Sequence, residues 1–207
     1  AGLGREIVRQ IAAVFPEIEA YWLIARRAER LEELAAAMPD QQVDCMPLDL
    51  CDPMSFMMLQ EKLASEQPEV ALLVNNAGCG YLGNVGEVET STQTRMIDLN
   101  LRALTAVTNI TVPFMAPGSR ILNVSSIAAF CPTPRMTVYS AGKSYVSAFS
   151  IGLAEELRAR ARAVDLAGPV LVHGDLTGEN VLVDEKGRPV LIDWADACLA
   201  PAWYELP

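Results

Sequence analysis

Tyr139 and Lys143 stand four residues apart in YSAGK, and Ser126 lies thirteen residues before Tyr139 at the end of RILNVSS. On a helix, positions i and i+4 share a face, so this phenol and this ammonium sit side by side. An ammonium beside a phenol favours the phenolate. That suits Tyr139 to giving or taking a proton near neutral pH. By itself a YxxxK pair says little, because Tyr and Lys are common on helix faces. Its value depends on what the rest of the chain places around it.

The elements that must position the pair can be read from periodicity. AGLGREIVRQIAAVF reads as a glycine turn and an amphipathic helix with Ile7, Ile11 and Val14 on one face. AYWLIA is a strand, RRAERLEELAAAM a helix, VDCMPLDL a strand and PMSFMMLQEKLASEQ a helix. VALLVNNAG is a buried strand ending in a turn, residues 89–112 are helical, RILNVSS is a strand, and a helix runs from 138 to about 162. Strands alternating with helices imply βαβ units and a parallel sheet with helices on both faces. Ligands of such sheets bind at the carboxyl ends of the strands. NNAG and the paired serines both directly follow a strand.

Bulk properties narrow the classes. A chain of 207 residues with 51% hydrophobic and 20% charged side chains has globular composition and can bury a core in one or two domains. Its net charge of −10 argues against a nucleic-acid partner and leaves no basic patch for a membrane surface. Neither a transmembrane run nor a signal peptide is legible. Five cysteines without metal-ligand spacing fit reduced thiols, so a cytoplasmic location is expected. The charge is uneven: residues 1–163 carry a net −4, and residues 164–207 a net −6 in a far shorter stretch.

NNAG at residues 75–78, GLG at 2–4 and Asn100 in MIDLNL join the Ser, Tyr and Lys in a consistent order. Together these motifs resemble the short-chain dehydrogenase/reductase family over residues 1–162. The resemblance implies an incomplete NADP-binding, Rossmann-like domain, lacking its first strand and the front half of the glycine motif. It also implies a catalytic tetrad of Asn100, Ser126, Tyr139 and Lys143. Tyr139 would exchange the proton with the substrate oxygen, and Ser126 would hydrogen-bond that oxygen. Lys143 would tune Tyr139 and hold the nicotinamide ribose, and Asn100 would support a water linking Lys143 to solvent. Ser125 is passed over, its spacing to Tyr139 being one residue too long.

The implied reaction is hydride transfer between NADP(H) and a small carbonyl or alcohol. Candidate cofactor-binding residues are Gly2, Gly4, Arg26, Arg27, Asp49, Asn75, Ala77, Gly78, Tyr139 and Lys143. Gly2 and Gly4 let backbone approach a pyrophosphate at a helix N-terminus. Arg26 and Arg27 follow the second family strand, where an acidic residue would select NAD and an arginine accommodates a 2′-phosphate. Asp49 matches a family position that contacts adenine; capping the helix that starts near Pro53 is its other reading. A homo-oligomer formed through the Tyr/Lys helix is a further expectation.

Residues 163–207 break the pattern. VLVHGDLTGENVLVDEKGRPVLIDW resembles the aminoglycoside phosphotransferase family, which has the kinase-like fold. Asp175 would be the base, and Asn180 and Asp193 would hold magnesium for ATP. A β-hairpin is expected near 181–192. No glycine-rich phosphate loop or strand lysine accompanies this tail, so the resemblance implies a fragment fused to the reductase part. Function thus divides between an NADP(H) oxidoreductase, a kinase-like phosphotransferase and a non-catalytic chimera.

Overall fold

The computed structural model describes residues 2–116, 118–164, 170–173, 181–183, 189–191 and 198–200. In chain order its elements are α1 (Leu3–Val14), β1 (Ala20–Ala25), α2 (Ala28–Ala36), β2 (Gln42–Pro47), α3 (Pro53–Glu66) and β3 (Leu72–Asn75). Next come α4 (Thr90–Ile97), a π-helical segment (Asp98–Arg102), α5 (Ala103–Thr111), β4 (Arg120–Val124) and α6 (Thr137–Val164). Four short strands follow: β5 (Val170–His173), β6 (Val181–Val183), β7 (Pro189–Leu191) and β8 (Cys198–Ala200).

β3, β4 and β5 pair in parallel in that order, with Leu72 opposite Arg120 and Asn75 opposite Asn123. The apolar runs VALLVN and RILNV therefore share one sheet, as their composition predicts, and β5 takes the place beyond β4. Two features depart from a single parallel sheet. β8 joins the edge antiparallel to β5, and β1 and β2 form a separate parallel pair. Among the described residues no strand pairs with both β1 and β3. β6 and β7 make the antiparallel hairpin expected near 181–192.

Helices tie the two parallel sheets together. Leu50, Leu59 and Leu63 meet Ala103 and Val107 of α5, with Trp22 and Ile24 of β1 and Leu73 of β3 packed against them. On the other face Tyr21, Leu23, Leu31 and Met38 pack with Val8 and Ile11 of α1. Val14 does not join them. Ile7 is buried and Ile11 half-buried, but Val14 is exposed in the last residue of α1, where the chain turns away toward β1.

A buried polar ladder runs through the main sheet. Asn75 Nδ2 donates to Thr108 Oγ1 and Asn123 Oδ1, Asn123 Nδ2 donates to Ser150 Oγ, and Ser150 Oγ donates to the Val146 carbonyl. Each side-chain atom named in this chain has a hydrogen-bond partner, as burial requires. The ladder locks β3, β4, α5 and α6 in register, directly beneath the strand ends.

Candidate active site

The turn after β3, residues 76–80, is the centre of the site. Asn100 Oδ1 accepts the Cys79 N–H at 2.8 Å, and Asn100 Nδ2 donates to the Cys79 carbonyl at 2.7 Å. A buried amide thus clamps both polar groups of one peptide residue. Asn100 lies in the π-helical segment between α4 and α5, the kind of helix irregularity that often marks functional sites. Gly78 lies against the same amide: a Cβ there would stand 3.2 Å from Asn100 Oδ1.

The clamp sets the neighbouring residue under the phenol. A Cβ on Gly80 would lie 3.1 Å from Tyr139 Cδ2 and 3.2 Å from Cε2, so the ring rests directly on this glycine. Lys143 follows one turn later on α6 with its Nζ 5.7 Å from the Tyr139 ring centroid. The Lys143 ammonium also donates to the Val124 carbonyl at 2.7 Å, at the carboxyl end of β4. Burial pushes the Lys143 pKa down to about 8.

Ser126 begins the short 3₁₀ turn after β4, and its Oγ accepts the Ala128 N–H. Ser125 is the buried member of the pair; its hydroxyl donates to the Lys143 carbonyl and meets Ser147 Oγ, joining the strand end to α6. The structure therefore brings Asn100, Tyr139 and Lys143 around one turn and places Ser126 at the adjoining strand end.

The cofactor-side candidates separate into groups. Gly2 has φ 88°, a left-handed conformation suited to glycine, and opens α1. A Cβ on Gly4 would reach 2.7 Å from Asn76 Nδ2, so the α1 N-terminus lies against the Asn76 side chain of the NNAG turn. This close approach of a helix N-terminus to the strand ends fits a dinucleotide pyrophosphate. Ala77 and Gly78 are exposed in the turn, and Arg26 and Arg27 are exposed just after β1.

Asn75 differs from the other candidates. Its amide N–H groups are spent on the ladder, which gives it a bracing role between strands. Asp49 does not cap α3; Asp52 does, accepting the Met54 N–H. Asp49 instead accepts the Cys51 N–H and pairs with Arg95 at 2.8 Å. The Cys51 N–H and then the Arg95 guanidinium hold its carboxyl below the usual range, and Arg26 adds to that field. Burial raises the Cys79 thiol, with Arg95, Arg26 and Lys143 opposing. The tail candidates Asp175, Asn180 and Asp193 lie outside the described residues.

Gly80, Arg95 and the ladder residues Thr108, Asn123 and Ser150 were not legible as functional, and Ser125 was passed over in favour of Ser126. Two signals were nonetheless present: a second glycine two residues beyond NNAG, and an Asn in the middle of the apolar run RILNV.

Parallel strands, a glycine-opened helix and a Tyr/Lys pair beside an Asn-clamped turn define a Rossmann-like α/β protein with an oxidoreductase-type site. The family model described as short chain dehydrogenase matches residues 1–182. The chain belongs to that family, whose members typically use NAD(H) or NADP(H) on small carbonyl or alcohol substrates. The match runs past the boundary expected near residue 162 and takes in β5.

The chain is 30% identical over 185 residues to sulfoacetaldehyde reductase 2 of Chromohalobacter salexigens, covering 86% of this chain and 71% of that protein. It is 28% identical over 180 residues to the very-long-chain 3-oxoacyl-CoA reductase of Anas platyrhynchos, covering 83% of this chain and 56% of that one. A short-chain dehydrogenase/reductase from Serratia marcescens superposes with a TM-score of 0.70 at 26% identity, covering 83% of this chain and 67% of that chain. The chain thus spans between about half and three quarters of the length of these relatives.

Proposed function

We propose that the chain carries the active site of an NADP(H)-dependent oxidoreductase that interconverts a small carbonyl compound and its alcohol. The observation that carries this reading is the Tyr139–Lys143 pair, with the ring seated on Gly80 and the ammonium buried beside it. A bound nicotinamide supplies or receives the hydride. Tyr139 gives its phenolic proton to the substrate oxygen in reduction and regains one in oxidation. Ser126 donates a hydrogen bond to that oxygen as its negative charge grows. Lys143 keeps a positive charge near the phenol. Asn100, whose side chain clamps Cys79, would support a water that links Lys143 to solvent.

Gly2 and Gly4 would cradle the pyrophosphate at the start of α1. Arg26 and Arg27 favour NADP(H), since two exposed guanidinium groups after β1 suit a 2′-phosphate and no carboxylate stands in that turn. Asp49, paired with Arg95, would contact adenine. α6 offers a homodimer face, where Tyr145 stacks on Phe149 and bonds Thr105. No helix among the described residues is long and apolar enough to cross a membrane.

The test is NADPH fluorescence on binding, followed by turnover of simple ketones and aldehydes. Tyr139→Phe should abolish reduction and spare NADPH binding, because it removes only the transferable proton. Asp175→Ala should leave reduction unchanged. A Tyr139→Phe enzyme that still reduces carbonyls would overturn these role assignments. The phosphotransferase reading of residues 163–207 draws on the tail sequence alone. It requires ATP with magnesium to raise thermal stability, and a loss of that effect on Asp193→Ala.

A further inference from the structure

Large apolar side chains at the surface of the described residues are not evenly spread. Tyr81, Leu82 and Val85 stand on the loop that continues from Gly80, and Ile127 and Phe130 on the turn that continues from Ser126. All five are between 45% and 69% exposed. The two loops are stitched together, since the Gly83 N–H donates to the Arg135 carbonyl at 2.9 Å four residues before Tyr139. One loop therefore starts against the Tyr139 ring and the other at the Ser126 hydroxyl.

Their composition is one-sided. Residues 79–86 (CGYLGNVG) and 127–134 (IAAFCPTP) contain no Asp, Glu, Lys or Arg. Charge returns only at Glu87 and Arg135, at the far ends of the two segments. Clustered exposed apolar groups on a protein surface mark a patch that is meant to be covered. Here the two segments continue from Gly80 and from Ser126, and they carry no charged side chain to compensate an ionised group laid along them.

We infer that the site takes an uncharged ketone or aldehyde whose carbonyl bears an extended apolar substituent, held by Tyr81, Leu82, Val85, Ile127 and Phe130. The inference rests on the reductase reading and specifies its substrate class. Each methylene laid on the rim adds apolar contact, and burying one CH₂ corresponds to about a fourfold gain. A hydroxyl or carboxylate in the same position loses its water without replacement.

The experiment is a kcat/KM series with NADPH on 2-alkanones of rising chain length, set beside hydroxylated and carboxylated ketones of the same length. The expected result is a rise of about threefold to fourfold per methylene over the first few carbons, with the polar counterparts at least about tenfold poorer. Leu82→Asn and Phe130→Asn should flatten that slope, whereas Met57→Asn on exposed α3 should not. Independence of chain length, or preference for the hydroxylated or carboxylated ketones, would overturn the inference. If no ketone is turned over, the reductase reading fails separately. Binding of an anilinonaphthalene dye then decides the rim. Displacement by 2-decanone but not by its carboxylated analogue supports it, and no displacement overturns it.

Discussion

Burying an ammonium costs stability, and Lys143 carries that cost beside the Tyr139 ring. Its pKa falls from an ordinary 10.5 to about 8 through burial. Below pH 8 both folded and unfolded chains hold the proton, and the folded state bears the full penalty. Between pH 8 and 10.5 the unfolded chain binds more protons than the folded one, so stability rises with pH across that window. At roughly 1.4 kcal/mol per unit, the penalty at pH 7 is on the order of 3 kcal/mol. Lys143→Met should therefore raise Tm at pH 7 while abolishing reduction, and the gain should shrink as pH climbs from 8 to 10.5. A Tm difference that is flat or grows with pH would contradict this account. Gly80 gives the second residue-scale prediction. A methyl there would force the Tyr139 ring to yield by a few tenths of an ångström. Misplacing a reacting group by 1 Å can cost ~100-fold, so Gly80→Ala should lower kcat by about threefold to tenfold and leave NADPH affinity within about twofold. Gly152→Ala, on an open face of α6, is the matched control. Equal kcat in both variants would remove Gly80 from the site.

The elements differ in how openly the sequence announces them. β1 occupies the residues of AYWLIA, and β3 and β4 fall inside VALLVN and RILNVSS, because short apolar runs bounded by turns have few other places to go. The π-helical segment was invisible. DLNLR has ordinary helical composition, and what distorts it is a tertiary demand, the fit of the Asn100 amide onto Cys79. The capping reading of Asp49 fails for a related reason: a cap and an ion pair use the same carboxylate, and only the fold shows that Asp52 takes the cap while Arg95 takes Asp49. The polar ladder belongs to this scale as well. Asn123 is fully buried and serves as acceptor for Asn75 and donor to Ser150. Asn123→Ala would strand a half-buried donor on Asn75, remove a bond to Ser150 and open a small cavity. Urea unfolding should report a loss of about 2–4 kcal/mol. A loss below about 1 kcal/mol would mean that water replaces the ladder.

At the scale of the whole molecule, the question is what joins the β1–β2 pair to the sheet of β3, β4, β5 and β8. β1 and β2 share no ladder hydrogen bonds with β3 and β4 among the described residues, so backbone pairing cannot couple them. The coupling falls to side chains. Leu63 is almost fully buried, and the cluster it belongs to touches Trp22, Ile24 and Met46 on one side and Val70 and Leu73 on the other. Arg102 adds a polar tie, donating from the π-helical segment to the Cys51 carbonyl beyond β2. This arrangement also links the two halves of the site, because the Arg26 side depends on the first sheet and the Tyr139 side on the second. Leu63→Ala should cost about 2–5 kcal/mol, as large-to-small changes in a well-packed core do. The informative measurement is hydrogen exchange by peptide. If the Leu63 core joins the sheets, exchange should accelerate together in peptides covering β1–β2 and β3–β4, and NADPH affinity should weaken with it. Acceleration confined to the β1–β2 peptides would show that the sheets open separately, and the cofactor cleft would then lie between independently fluctuating halves.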